Sequence, residues 1–242
     1  MLRLAPPGFE RILQSPQFVA TFGGGEANVA VAVAQLGLAA AFVTVLPDKN
    51  PVADAVVGVL DAIGAEHAHL VGHSMGAAAA IAATARDPKR ISSLTLIAPC
   101  GFGSEINVGY LRGFADAQTR RELKPLIGQL FAEEGLVTRQ IVDDLLAYKR
   151  LDGVEAALHS LVGTLLDGDK QRTDSTASLA AIGGAVPVTV VWGAADRIIP
   201  PAQASSVAGA VCHLLDGTGH MPHMERPAEV LAAIEEAIAR AG

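Results

Sequence analysis

The 242 residues are enough for one sizeable domain with its own core, and half are hydrophobic while only 4% are aromatic, so the apolar content is mostly Ala, Val, Leu and Ile, suited to helices on a buried sheet. A formal net charge of −7 without a block of Lys or Arg offers a phosphate backbone or an anionic lipid surface nothing to hold, which argues against nucleic-acid and membrane partners. Cys100 and Cys212 lie outside any CxxC spacing and read as small buried residues, and residues 1–14 carry Pro6, Pro7, Glu10 and two arginines where a signal peptide needs an apolar run; the expectation is a cytoplasmic protein.

Residues 18–22 read as a strand leading into Gly23-Gly24-Gly25, followed by a helix over about 26–36, a strand over 41–46 and a helix over about 51–63. The stretch 27–47 has no charged residue for about the length of a membrane span. Gly37 divides it, however, into a run with helical spacing and a β-branched run, so a buried helix followed by a buried strand is the better reading. A short strand at 69–72, a small-residue helix at 77–86 ended by Asp87-Pro88, and a strand at 93–98 continue the alternation. From Cys100 to about 182 strand signals vanish and charged amphipathic helices follow one another, among them 120–133 and 137–148. Strands resume at 186–192 and 210–215, and a helix over about 227–240 closes the chain. Alternating strands and helices with crossover lengths predict an α/β fold: a mostly parallel sheet with helices on both faces and a helical cap over about 101–182.

Chemistry concentrates at three strand ends. A serine hydroxyl is a weak nucleophile at neutral pH and needs both an adjacent base and a geometry that presents it. Gly72-His73-Ser74-Met75-Gly76 supplies the geometry: small residues let a strand turn sharply into a helix and leave Ser74 strained at the carboxyl edge of the sheet. Asp196 follows the strand ending at Trp192, and His220 follows the strand ending at Leu215, so both fall at that same edge. The order Ser, Asp, His suits a triad in which His220 takes the serine proton and Asp196 orients the imidazole. The bland alternatives are a chance GxSxG in a Gly-rich chain, an N-cap or an Arg197 partner for Asp196, and a solvated loop residue for His220. His67-Ala68-His69 could ligate a metal but has no carboxylate cluster near it, so it reads as a strand entrance. His73 reads as a packing residue, and Cys100 as core rather than pocket.

These residues and their flanks resemble the α/β-hydrolase superfamily. Residues from about 60 onward are most similar to the hydrolase-like domain of the dihydrolipoyl acetyltransferase component of acetoin dehydrogenase complexes, through VGHSMG at 71–76, SLTLIAPCG at 93–101, RRELKPLIGQLF at 120–131, DDLLAYKRLDGV at 143–154 and VWGAADRIIP at 191–200. The resemblance implies an α/β-hydrolase body over 59–242. It also implies an antiparallel strand pair at the start and a His-Gly loop that donates the second oxyanion hydrogen bond. Residues 1–58 instead resemble the start of ribokinase-type carbohydrate kinases, closest to 2-keto-3-deoxygluconate kinase, through MLRLAPPGFERILQ, FVATFGGGEANVAVAVAQLG and AAFVTVLPD. In those kinases the residues matching Gly24, Gly25 and Asn28 help hold the sugar, but the loop that carries the kinase base is missing here. The expectation is a chimeric chain in which the kinase-like segment completes the sheet with atypical strands.

The resulting expectation is a serine esterase for short- or medium-chain esters, working through an acyl-enzyme on Ser74, with Met75 and Gly24 as the oxyanion donors and neither cofactor nor metal. Acyl transfer or carbon–carbon bond hydrolysis is the alternative, and a catalytically inactive fusion the third. An unpaired sheet edge left by the altered start would favour a homodimer.

Overall fold

The computed structural model describes residues 2–5, 19–22, 51–207 and 209–242. The glycine loop at 23–25, the helix expected over 26–36 and the strand expected over 41–46 lie outside these residues, and so do Gly24 and Asn28. The chain divides into two compact units, Met1–Thr44 and Val45–Gly242. In the first, β1 (Leu2–Ala5) pairs antiparallel with β2 (Val19–Phe22), Leu2 opposite Phe22 and Ala5 opposite Val19.

The second unit runs from α1 (Pro51–Ala62) through β3 (Ala68–His73), α2 (Met75–Arg86) and β4 (Ile91–Ile97). After the helical region come β7 (Val188–Gly193), β8 (Val211–Leu215) and the closing helices α8 (Pro222–Glu225) and α9 (Pro227–Ala239). The sheet order is β3-β4-β7-β8 and every pairing is parallel. The two inner strands are buried almost throughout, as strands covered by helices on both faces must be, and this is why ISSLTLI and VTVVWG show little polar alternation. Ala77, Ile81 and Ala83 of α2 are fully buried, since small side chains let that helix approach the sheet closely. A fully buried Ile81 or Leu94 contributes about 1.5–3 kcal/mol relative to an exposed one.

Between β4 and β7 the expected helices are α3 (Val108–Asp116), α4 (Arg120–Gly128), α5 (Arg139–Lys149) and α6 (Val154–Leu165). Their starts are set by local chemistry. The Asn107 side chain accepts from the Tyr110 amide, Thr119 and Glu122 form a reciprocal capping box, and the Thr138 side chain accepts from the Ile141 amide. These helices bury a cluster of their own around Leu123, Ile127, Phe131, Val142 and Leu146. Helix α4 stops at Gly128 rather than running to 133: Gln129, Leu130 and Phe131 donate three residues back, to the carbonyls of Leu126, Ile127 and Gly128, and the carbonyls of Leu130 and Phe131 then accept from the His220 amide at 2.8 Å and the Arg197 guanidinium at 2.7 Å.

Two further departures have plain causes. A small antiparallel pair, β5 (Leu166–Asp167) with β6 (Lys170–Gln171), interrupts the region read as free of strands. Its turn is Gly168-Asp169, with Gly168 at φ 62°, and the Asp167-Gly168 dipeptide was the available signal. After it, α7 (Thr176–Ile182) packs Leu179 and Ile182 into the sheet's core rather than into the helical cluster. Among the described residues no helix is long and apolar enough to cross a membrane.

Candidate active site

Ser74 sits between β3 and α2 with φ 54° and ψ −117°, a conformation that costs a non-glycine residue about 1–3 kcal/mol and persists only where its surroundings impose it. Those surroundings are backbone contacts. The Ser74 amide donates to the Ile97 carbonyl at 2.8 Å, and the Ser74 carbonyl accepts from Ala77 at 3.1 Å and Cys100 at 3.3 Å. Gly72 must be glycine, since a Cβ there would lie 2.6 Å from both the Ala77 Cα and the Gly76 carbonyl. Among the described residues a Cβ at Gly76 would meet nothing within 4 Å. Met75 opens α2, and the amides of a first helical turn have no partner inside the helix.

Asp196 and His220 come to Ser74 as their order suggests. The Asp196 carboxylate has four donors: His220 Nδ1 at 2.8 Å and Trp192 Nε1 at 3.0 Å on one oxygen, and the Ile198 and Ile199 amides at 2.8 and 3.0 Å on the other. An acceptor-only carboxylate requires the proton on His220 Nδ1, which leaves Nε2, 3.0 Å from Ser74 Oγ, free to accept. The pair is almost dry, with 4% of the His220 side chain and none of the Asp196 side chain exposed. Water therefore does little to weaken the attraction between them. Arg197 does not pair with Asp196 but reaches the Phe131 carbonyl.

Behind His220 stand two more imidazoles. His73 donates through Nε2 to the His220 carbonyl at 2.8 Å, and its ring centroid lies 4.9 Å from that of His220 and 4.7 Å from that of His223. Burial, reinforced by His223 and His220, holds His73 well below the ordinary histidine range, and burial followed by the His220 charge pushes His223 down to about 4. Among the described residues neither ring nitrogen of His223 has a hydrogen-bond partner. His73 is thus a packing residue with one directed bond.

The remaining candidates separate cleanly. His69 Nδ1 is hydrogen-bonded to Ser93 Oγ at 2.7 Å, and no group of three His, Cys, Asp or Glu side chains among the described residues could hold a metal ion. Cys100 is core, its thiol pushed up to about 12 by burial. Cys212, expected to be buried, is exposed on β8, the last strand of the sheet; both cysteines are free. Sequence reasoning missed Trp192 and Glu225. A Trp four residues before the acid was a usable signal for the first. The second accepts from backbone amides, of Gly219 and Ala132, which leave no mark in a sequence.

The description "Alpha/beta hydrolase family" fits residues 12–234. Over 182 residues, 75% of this chain and 48% of the other, the chain is 44% identical to the dihydrolipoyllysine-residue acetyltransferase component of the acetoin cleaving system of Cupriavidus necator; it therefore spans about half the length of that relative. It is 30% identical over 196 residues to 2-hydroxymuconate semialdehyde hydrolase of Pseudomonas sp. strain CF600, covering 78% of this chain and 68% of that one. A meta-cleavage product hydrolase from Pseudomonas fluorescens IP01 shares the fold, with a TM-score of 0.74 over 91% of this chain and 87% of that one at 16% identity. These comparisons lend the kinase-like resemblance of residues 1–58 no support, and the family match runs through that segment from residue 12. A parallel sheet flanked by helices, a strained serine at a strand-to-helix turn and a match over most of the chain agree: the protein belongs to the alpha/beta hydrolase family.

Proposed function

We propose that the chain is a serine hydrolase that cleaves short- to medium-chain esters through an acyl-enzyme on Ser74. The observation that carries this reading is the continuous line from Asp196 through His220 to Ser74 Oγ, at 2.8 and 3.0 Å. Such a line turns a weak nucleophile into a usable one. His220 Nε2 takes the hydroxyl proton as Oγ attacks the ester carbonyl, then returns it to the departing alcohol. Water, activated by the same nitrogen, releases the acid. The Met75 amide is one oxyanion donor in this scheme and the Gly24 amide the other. Loss of one such donor lowers kcat on the order of a hundredfold or more, so Gly24→Pro tests the assignment: a folded variant with unchanged turnover sinks it. In this reading the helical cap over about 101–182 roofs an apolar acyl pocket.

A second reading keeps the same nucleophile and changes the acceptor or the bond. It draws on the two relatives, one an acetyltransferase component and the other a hydrolase of 2-hydroxymuconate semialdehyde. A panel of p-nitrophenyl esters, run with and without a thiol acceptor and beside a vinylogous diketone, with Ser74→Ala as control, separates the two. Saturable, Ser74-dependent ester turnover in water supports the first reading. Turnover confined to the thiol or the diketone supports the second, and no turnover on any of them defeats both and leaves an inactive chain.

A further inference from the structure

Glu225 belongs to no part of the line from acid to serine, yet its carboxylate joins two segments that the line depends on. One oxygen accepts from the Gly219 amide at 2.7 Å, immediately before His220, and the other from the Ala132 amide at 2.8 Å, just past α4. The same short segment after α4 accepts the His220 amide on Leu130 and the Arg197 guanidinium on Phe131. Three consecutive residues, 130 to 132, are thus each committed to a group that fixes the loops carrying His220 and Asp196. The approach is close: a Cβ on Gly219 would lie 2.7 Å from the Leu130 carbonyl and 2.8 Å from the Ala132 amide. Met221 and Met224, on either side of His223, pack against the helical cluster over the same seam.

The two amides meet different ends of the carboxylate, one on each oxygen, so the side chain must offer an acceptor at both ends, as an ionised Glu does. Glutamine has the same shape but a single oxygen, and its amide would present N–H to N–H at the other end. We propose that Glu225 is a positioning residue that fixes His220 against the helical roof, so that the base and the roof over Ser74 move as one body. This rests on the reading of Ser74 as a nucleophile served by His220. A roof displaced by an ill-fitting acyl group would then carry the base with it, and chain length would be read in kcat as well as in KM.

The test compares Glu225→Gln and Glu225→Asp with the unaltered protein. Three quantities are read: the rate at which an alkyl fluorophosphonate labels Ser74, kcat and KM on a short p-nitrophenyl ester, and the downfield proton resonance of His220 Nδ1, assigned by its loss in His220→Ala. A displacement of about an ångström at a catalytic group costs on the order of a hundredfold, so the glutamine variant is expected to lose tenfold or more in labelling rate and kcat. KM should stay within about twofold and the His220 resonance should shift or broaden, with the aspartate variant recovering part of each. An unaltered resonance and labelling rate in a folded Glu225→Gln protein overturns the proposal, as does a rise in KM alone. Failure of the underlying reading looks different: the unaltered protein would be labelled no faster than His220→Ala, whatever stands at 225. Should the glutamine variant not fold, the same three readings on the aspartate variant decide the matter.

Discussion

Asp196 and His220 stand 2.8 Å apart, but they are held by different parts of the chain. The acid takes its three other donors from Trp192, Ile198 and Ile199, none more than four residues away. The base is held by Leu130, by His73 and, through Gly219, by Glu225 and Ala132, groups that fold to it from across the helical region and the serine turn. The geometry of the acid is written into one stretch of sequence, whereas that of the base exists only once the roof, the turn and the last loop have assembled. A local arrangement tolerates distant change. A distributed one is exposed to it.

The largest test of this contrast is Asp196→Asn, which presents an amide to donors and leaves His220 with the wrong tautomer; kcat on an ester should fall by on the order of a thousandfold to ten-thousandfold with little change in circular dichroism. Gly193→Ala attacks the base from a distance. A Cβ there would run into the Thr218 and Gly219 backbone, and pushing that loop away should cost tenfold to a hundredfold in kcat and lower Tm. Trp192→Phe removes one of the acid's four donors and leaves three, so a few-fold fall in kcat is expected, with a stability loss of about 1.5–3 kcal/mol by urea unfolding. A fall as deep as that of Asp196→Asn would break the idea that local redundancy protects the acid.

The smallest effect concerns pH. An unfolded His223 takes a proton below about 6.5, while the folded ring resists until about 4. The unfolded state therefore binds more protons in that window: stability is complete above 6.5 and drains away as pH falls toward 4. Between pH 7 and 5 this amounts to about 2 kcal/mol. His73, also depressed by burial, acts in the same direction. His223→Leu, which replaces a buried ring with no hydrogen-bond partner among the described residues by an apolar side chain, should flatten the urea-unfolding profile between those pH values and leave stability at pH 7 unharmed. A profile as steep as before would remove His223 from the account.

What could be read in advance follows the same division. Ser74 and Asp196 were legible because a strand-to-helix turn and a Trp-Gly-Ala-Ala-Asp run describe their own geometry. The alternation of β3, α2 and β4 was legible because burial on both faces leaves a hydrophobic signature. His220 could be named from its order, but not what holds it, since the Leu130 carbonyl and the Gly219 and Ala132 amides are backbone groups that any residue carries. The early end of α4 was hidden for the same reason. The exposure of Cys212 was hidden because a last strand's composition does not state whether anything covers it. Gly24 lies outside the described residues, so its place in the chemistry rests on the variant proposed for it.

The buried trio of imidazoles has a consequence for proton traffic. Of the three, His220 alone among the described residues has a carboxylate against it, while His73 and His223 are pressed toward neutrality by burial. A proton leaving Ser74 would find one seat and no neighbouring seat to hop to. It would stay beside the reacting oxygen until a leaving group claimed it, and the wall behind the base would act as an insulator.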